Sequence, residues 1–239
     1  MSDTDTITVV RSDERFHTRL GWLDSRHSFS FGRHYDPANT HHGLLLVHND
    51  DVVRAGTGFT THPHRDMEIV TWVLDGELEH KDTLDNRGVI YPGLAQRMSA
   101  GTGIWHSEMN PRASQDVHFV QMWVLPDTES VDPGYEQLDL NDELDRGGLV
   151  PVASGRGHDA AISIRQRGAA LWAGRLSPGE TVKVPDARFA HVYVAAGSAD
   201  LEGAGTLAEG DAARLVAAGS PTLTAGEASG AEVLVWETD

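Results

Sequence analysis

The chain contains no cysteine and almost no lysine. The absence of cysteine from all 239 residues excludes disulfide scaffolds, thiolate metal sites, iron–sulfur clusters and cysteine nucleophiles. Only 19 basic residues stand against 36 acidic ones, for a formal net charge of −17, and just two of the basic residues are lysines, Lys81 and Lys183. A chain of this charge repels phosphate backbones, so we expect no direct binding to nucleic acid.

Long hydrophobic runs are missing as well. No segment approaches the ~18 consecutive apolar residues that a membrane-spanning helix needs. The first ten residues, MSDTDTITVV, are acidic where a secretory signal would be basic and then apolar. We therefore expect a soluble, cytoplasmic protein with no membrane partner.

Short apolar or alternating segments recur along the chain and predict β-strands. Residues 69–74 precede Asp75-Gly76, residues 117–125 precede Pro126, and residues 189–196 precede Gly197. Runs of this length, ended by turn-forming residues, are typical of the strands of a sandwich or barrel. Helical patterns are weak throughout, so the predicted fold class is all-β.

The composition changes near the middle of the chain. Residues 126–148 are acidic and rich in turn-forming residues, without a sustained apolar period, which is typical of a connection between domains. Each half is long enough for one small β-barrel. The sequence therefore predicts two domains, residues 1–130 and residues 131–239.

Thirteen histidines direct the search for chemistry toward a metal ion. His62 and His64 are two positions apart, so on a strand both imidazoles point to the same face. His106 and Glu108 repeat this spacing after a glycine-rich stretch at 99–105. Each pair alone is equally compatible with a solvated surface or a hydrogen-bonded buried histidine. Together, three neutral imidazoles and one carboxylate suit a divalent metal ion with positions left open for a substrate.

Other histidines are interpreted as structural. His80 and Asp82 also alternate, but the intervening Lys81 favours a solvated strand face. His48 is expected at a strand end. His191 has no partner two residues away, so the C-terminal half is expected to lack a metal site.

The sequence blocks around these pairs resemble a known family. Residues 62–76, HPHRDMEIVTWVLDG, resemble the first cupin motif, and residues 103–110, GIWHSEMN, resemble the second. Together with residues 21–37, GWLDSRHSFSFGRHYDP, and residues 118–126, HFVQMWVLP, they resemble more narrowly the pirin family. Within it, the chain is most similar to the short bacterial members associated with quercetin 2,3-dioxygenase activity.

The resemblance implies a bicupin, in which two antiparallel β-barrels of jelly-roll type face each other and only the N-terminal barrel binds metal. The family's ligands correspond to His62, His64, His106 and Glu108. Glu68 lies where many cupins place a ligating glutamate; it is assigned a structural role, and the choice between the two carboxylates stays open. Iron(II) is the family's usual metal, although manganese, cobalt, nickel, copper and zinc tolerate such ligands.

The implied activity is a metal-dependent dioxygenase that uses O2 to open the heterocycle of flavonols such as quercetin, with release of carbon monoxide. Glu108 would be the catalytic base for the substrate hydroxyl. The alternative is a non-enzymatic, metal-dependent regulator that binds a protein partner. Because two barrels can pack against each other within one chain, we expect a monomer.

Overall fold

The computed structural model describes residues 6–159 and 161–239, and it confirms the predicted all-β fold. The strands up to the middle of the chain are β1 (Thr6–Val10), β2 (Phe16–Arg19), β3 (Leu23–His27), β4 (Leu45–Val53), β5 (Gly58–His64), β6 (Glu68–Asp75), β7 (Leu78–Asp82), β8 (Arg87–Ile90), β9 (Leu94–Ser99), β10 (Ile104–Met109), β11 (Val117–Val124) and β12 (Gly134–Asp139). The remaining strands are β13 (Val150–Ser154), β14 (Ile162–Ser163), β15 (Ala169–Leu176), β16 (Thr181–Lys183), β17 (Phe189–Leu201), β18 (Gly205–Ala208), β19 (Ala212–Val216), β20 (Thr222–Ala225) and β21 (Ala231–Thr238). A short 3₁₀ turn (Ser12–Glu14) and one α-helical turn, α1 (Asn141–Leu144), complete the described elements. No helix in these ranges is long and apolar enough to cross a membrane.

The N-terminal unit consists of two sheets. The larger has seven strands in the order β12-β9-β6-β11-β4-β3-β2, and the smaller has four in the order β5-β10-β7-β8. Leu78 and Ile90 of the smaller sheet pack with Val73 and Phe119 of the larger sheet in one buried cluster. The two sheets therefore enclose an interior between them.

The C-terminal unit is built on one sheet of ten strands. Its longest strand, β17, pairs through its first part with β19 and β21 and through its last residues with β18 and β20. Apolar side chains from these strands, including Val192, Leu207 and Leu223, form a separate core cluster.

The two units share a buried interface and exchange strands. One core cluster joins Val70, Trp72 and Met122 of the larger N-terminal sheet to Tyr193 and Trp236 of the C-terminal sheet. In addition, β1 pairs with β19 of the C-terminal sheet, and β12 pairs with β9 of the N-terminal sheet. The division of the chain at residue 130 remains a prediction. The C-terminal sheet nevertheless includes β1 from before residue 130, and the larger N-terminal sheet includes β12 from after it.

Alternation along the central strands sorts side chains between two buried environments. Val70 and Trp72 face the C-terminal unit, whereas Thr71 between them faces the interior of the N-terminal unit. The prediction that His48 lies at a strand end is wrong. It lies within β4, is fully buried, and its ring centroid is 4.7 Å from that of His191. The C-terminal unit covers one face of β4 and the interior of the N-terminal unit lies on the other. Polar residues of this strand are therefore buried on either face.

Candidate metal centre and adjoining cavity

Strand register brings the three predicted histidine ligands together. His62 on β5 lies directly opposite His106 on β10, and His64 lies opposite Ile104. The ring centroids of His62 and His106 are 4.5 Å apart, and that of His64 is 4.9 Å from each of the others. Their ligand nitrogens all lie within 4.8 Å of one another. These three side chains could hold a metal ion.

Strand alternation places Glu108 on the same interior face of β10 as His106, and the register with β5 shifts between these two residues. The pairing passes from His106 opposite His62 to Glu108 opposite Phe59, so β5 carries one extra residue at this point. Bulges of this kind commonly adjust side chains next to functional sites. Glu108 on this face is only 2% exposed.

The predicted glycine-rich approach to β10 forms a tight turn. Gly101 has a φ of +46°, in the left-handed region. A Cβ atom at this position would lie 2.1 Å from the carbonyl oxygen of Val131. Both the backbone conformation and the close approach therefore require glycine.

A hydrogen-bond chain fixes the tautomer of His106. The Oδ2 atom of Asp82 lies 3.2 Å from His80 Nε2, and His80 Nδ1 lies 3.4 Å from His106 Nδ1. An ionised carboxylate only accepts, so a neutral His80 ring donates from Nε2 to Asp82 and accepts at Nδ1. His106 then donates from Nδ1, which leaves a lone pair on its Nε2 atom.

The other two histidines also present ring nitrogens that are free for a metal ion. His62 donates from Nδ1 to the carbonyl oxygen of Thr60 over 2.7 Å, so its Nε2 atom carries the lone pair. Within residues 6–159 and 161–239, the buried Nε2 atoms of His64 and His106 have no hydrogen-bond partner. Buried polar atoms without partners are costly, and a bound divalent ion would satisfy all three.

The electrostatic surroundings keep the imidazoles of His64 and His106 neutral. Burial, followed by the neighbouring histidines, lowers the pKa of His64 to about 4 and that of His106 to about 3. The charge of Glu108 opposes this effect at His64. At neutral pH both rings are therefore unprotonated, as metal ligation requires.

The two candidate carboxylates have different surroundings. Glu108 accepts two hydrogen bonds from Gln121 Nε2, at 2.9 and 2.8 Å, and lies outside the compact group of histidine nitrogens. Glu68 accepts hydrogen bonds from the Ser99 hydroxyl and the Arg165 backbone amide. Glu68 has the strand parity of Val70 and Trp72, so it points toward the C-terminal unit rather than toward the histidines.

The expectation that His80 and Asp82 form a solvated strand face is wrong. Their side chains are 1% and 0% exposed, and on β7 they lie opposite Glu108 and His106, respectively. Lys81 points away from the interior, so its charge does not indicate whether the side chains of His80 and Asp82 are exposed. The apolar Leu78, which shares their parity, was the signal in the sequence that this face is buried.

A cavity of about 460 Å³ adjoins the histidine cluster inside the N-terminal unit. Its lining joins apolar and polar side chains, among them Leu23, Phe31, Phe59, His27, Asn49, Asp51 and Gln121. Phe59 lies 6.4 Å from His62 between ring centroids, and Gln121 binds Glu108. Phe59 and Gln121 of the cavity wall therefore connect the cavity to His62 and Glu108. Sequence reasoning missed Asn49, Asp51 and Gln121, because they come from strands whose neighbours are distant in the chain.

Comparison with known proteins gives the same picture. A family model described as Pirin matches residues 9–124, and one described as Quercetinase C-terminal cupin domain matches residues 151–237. A relative in Mycobacterium tuberculosis (strain H37Rv), named "Putative quercetin 2,3-dioxygenase", is 58% identical over 98% of this chain and 96% of its own length. The chain belongs to the pirin family. The resemblance predicted from the sequence blocks, including the bicupin fold, is thereby confirmed.

A sequence and a solved structure from Escherichia coli add to this assignment. A quercetin 2,3-dioxygenase of strain K12 is 50% identical over 131 residues, which is 55% of this chain and 57% of its own. The crystal structure of the bacterial pirin YhhW in complex with nickel(II) superposes with a TM-score of 0.89 at 34% identity, covering 98% of this chain and 99% of that one. A solved pirin of the same fold thus binds a divalent first-row metal.

Proposed function

We propose that this pirin is a metal-dependent dioxygenase that opens the heterocycle of flavonols such as quercetin. The observation that carries the proposal is the convergence of three free imidazole nitrogens next to an apolar cavity. The names of the relatives in Mycobacterium tuberculosis and Escherichia coli support the same reaction class. In the balanced reaction, both atoms of O2 enter the depside product and one ring carbon leaves as carbon monoxide.

The proposed ligands are His62, His64, His106 and Glu108, with iron(II) as the metal. A bound divalent ion would supply Lewis-acid binding of the substrate oxygen and redox chemistry toward O2. The nickel(II) complex of the related YhhW supports a site that accepts first-row divalent ions. Three neutral nitrogens and one carboxylate are a donor set that these ions tolerate.

The side chains of the chain have separate tasks in this proposal. Leu23, Phe31 and Phe59 bind the aromatic rings and exclude water from the reacting face. Glu108 accepts the proton of the substrate's 3-hydroxyl group, and Gln121 holds the Glu108 carboxylate in a fixed orientation through its two hydrogen bonds. Asp82 and His80 keep the lone pair of His106 directed toward the site.

The test is turnover by protein loaded anaerobically with iron(II) and then mixed with quercetin in air-saturated buffer. We expect loss of the flavonol absorbance band with one O2 consumed and one carbon monoxide released per substrate. His106→Ala is expected to lose both metal and turnover, whereas His41→Ala, at an exposed histidine, is expected to retain both. No oxygen uptake with any flavonol would contradict the enzyme and favour the metal-dependent regulator.

The role of Glu108 is tested separately. Glu108→Gln is expected to retain the histidine ligands and to lower the turnover number by about 100-fold or more, the usual contribution of a general base. Metal content measured on the same sample separates a lost base from a lost ligand. Full turnover with full metal content would exclude the base role.

A further inference from the structure

Asp51 is a buried carboxyl group on the wall of the cavity. It lies on β4, opposite Ser25 of β3 and Phe119 of β11, and it is 3% exposed. Among the residues that the structure describes, its Oδ1 atom has no hydrogen-bond partner. A buried carboxyl oxygen without a donor is unfavourable by the cost of its lost hydration.

The neighbouring polar side chains of the cavity wall are already engaged. His27 Nδ1 lies 2.9 Å from Asn49 Oδ1, and His27 Nε2 lies 2.9 Å from the hydroxyl of Thr18. The amide nitrogen of Gln121 is used by Glu108. None of these contacts directs a donor to Asp51 Oδ1, so a donor for this oxygen has to come from a molecule in the cavity.

The raised pKa of the Asp51 carboxyl group is consistent with a hydrogen bond from an uncharged donor. Burial is the main cause that raises the pKa of Asp51 to about 7; a hydrogen bond from Ser25 lowers it, and the charges of Asp50 and Glu108 raise it further. A cation would be drawn to a carboxylate with a low pKa. A hydroxyl group instead can donate to Asp51 without bringing a charge into the apolar cavity.

The position of Asp51 separates it from the histidine cluster. The histidines stand on β5 and β10 of the smaller sheet, whereas Asp51 stands on β4 of the larger sheet. Leu23, Phe31 and Phe59 supply apolar surface in the same cavity. A flat aromatic molecule held there would meet the metal ligands on one side and Asp51 on the other.

We propose that Asp51 binds the substrate, its Oδ1 atom accepting a hydrogen bond from a hydroxyl group other than the one that reacts. The inference rests on the proposed function, because it concerns the substrate of the same site. It narrows the substrate class to polyhydroxylated aromatic compounds that combine a metal-binding hydroxyl with a second hydroxyl donor. Asp51 is thus a residue that determines specificity.

The test measures binding without turnover. Protein loaded with nickel(II) is titrated under anaerobic conditions with quercetin and with 3-hydroxyflavone, which keeps the 3-hydroxyl and carbonyl groups but lacks every other hydroxyl. Dissociation constants come from quenching of tryptophan fluorescence. The titrations are made at about pH 8, where Asp51 with its pKa of about 7 is mostly ionised. A hydrogen bond to a charged group corresponds to about 10- to 150-fold in affinity, so the wild type is expected to prefer quercetin by at least about 10-fold.

Two variants locate this preference. Asp51→Leu keeps a similar side-chain size without an acceptor, and it is expected to weaken quercetin binding by about 10-fold or more while changing 3-hydroxyflavone binding by less than about 3-fold. Asp51→Asn keeps a neutral acceptor and is expected to fall between the wild type and Asp51→Leu. Asp13→Asn, at an exposed aspartate outside the cavity, is the control and should change neither constant.

The outcomes separate this inference from the proposed function. Equal losses for both ligands in Asp51→Leu, or no loss for either, overturn the role of Asp51 and leave the flavonol reaction standing. Failure of both ligands to bind the wild type overturns the flavonol as substrate and this inference with it. If circular dichroism shows that the Asp51 variants do not fold, the inference is judged from the ratio of the two dissociation constants of the wild type. Equal affinities for quercetin and 3-hydroxyflavone would then overturn it.

Discussion

The Nδ1 atoms of His80 and His106 lie 3.4 Å apart on the inner face of the smaller N-terminal sheet. Neither atom is a metal ligand in the proposed site, yet the contact determines which nitrogen of His106 is free. The first residue of this hydrogen-bond chain is Asp82, whose carboxylate can only accept a hydrogen bond from His80. One acidic residue on the neighbouring strand thus sets, through His80, the position of the proton on the His106 ring.

Asp82→Asn is expected to reverse this chain and weaken metal binding. Asp82 Oδ1 accepts from the backbone amides of Leu84 and Asn86, at 2.9 and 3.1 Å, so the new amide nitrogen takes the place of Oδ2 beside His80. His80 would then accept at Nε2 and donate from Nδ1, and His106 would carry its proton on Nε2. We expect metal affinity to fall by about 10- to 100-fold.

Calorimetric titration of the metal-free protein with nickel(II) measures this change. Asp85→Asn removes the same charge from the same turn at an exposed position and serves as the control. An Asp82→Asn protein with the affinity of the wild type would show that the tautomer of His106 is set in another way.

Gln121→Leu is expected to destabilise the metal-free protein. Among the residues with described positions, the substitution leaves the buried Glu108 carboxylate with only the weak contact from the Thr71 hydroxyl at 3.5 Å. Loss of hydrogen bonds to a buried charge lowers the free energy of unfolding by about 2–3 kcal/mol. Urea unfolding in the presence of a chelator measures this loss, with Gln115→Leu at an exposed glutamine as the control.

The same variant tests whether Glu108 is a ligand. If Glu108 binds the metal ion, saturating nickel(II) replaces the lost partner, and the difference in unfolding free energy between variant and wild type shrinks. An unchanged difference in the metal-loaded proteins would place Glu108 outside the coordination sphere.

The interface between the two units is expected to make the protein acid-sensitive. Burial, followed by the charge of Arg15, lowers the pKa of His48 to about 3, and burial with His48 and Arg214 lowers that of His191 well below its usual value. The unfolded chain protonates both near pH 6.5 and the folded protein does not. Above pH 6.5 both histidines are neutral in the folded and the unfolded protein, so they do not oppose folding. Below pH 6.5 the unfolded chain binds protons that the folded protein does not, and the free energy of unfolding decreases as the pH falls.

His191→Phe is the variant that isolates this effect. Between pH 6 and pH 4, each such histidine lowers the free energy of unfolding by at most about 1.4 kcal/mol per pH unit. We expect the variant to show a slope smaller by about that amount in urea unfolding. His41→Phe, at an exposed histidine, should keep the wild-type slope. Parallel curves for His191→Phe and the wild type would contradict the expectation.

Gly101→Ala is expected to disturb the turn that leads into β10. Its left-handed φ costs an alanine about 1–2 kcal/mol, and the contact with the Val131 carbonyl oxygen adds a steric cost of about 1–3 kcal/mol. Gly56→Ala is the matched control, because Gly56 also has a positive φ, +69°, but no described atom lies within 4 Å of its added Cβ. Thermal unfolding should show the larger loss for Gly101→Ala, and equal losses would mean that the close contact is relieved without cost.

The local sequence pattern was sufficient to predict part of the candidate site. His62 and His64 share a face because strand parity depends only on adjacent residues, and the glycines before His106 marked a turn. The partners of Glu108 could not be predicted in the same way. Thr71 and Gln121 reach it only because β6 and β11 are neighbours in the larger sheet, and that order depends on the whole fold.

The errors have a common physical origin. His48 and His80 were interpreted from the polarity of their neighbours in the sequence, whereas in a sheet the two faces of a strand meet different surroundings. Polar residues can be buried on one face when a second sheet or a second unit covers it. The resemblance to a family supplied the bicupin fold, which periodicity alone did not distinguish from other sandwiches or barrels.

The strand exchange between the two units has a consequence for biosynthesis. Because β1 pairs with β19, this strand must wait for its partner until the long stretch of chain between them has been translated. The edge of the larger N-terminal sheet is likewise completed only when β12 emerges. Nascent chains halted between these paired strands therefore expose unpaired sheet edges to the cell's chaperones and proteases.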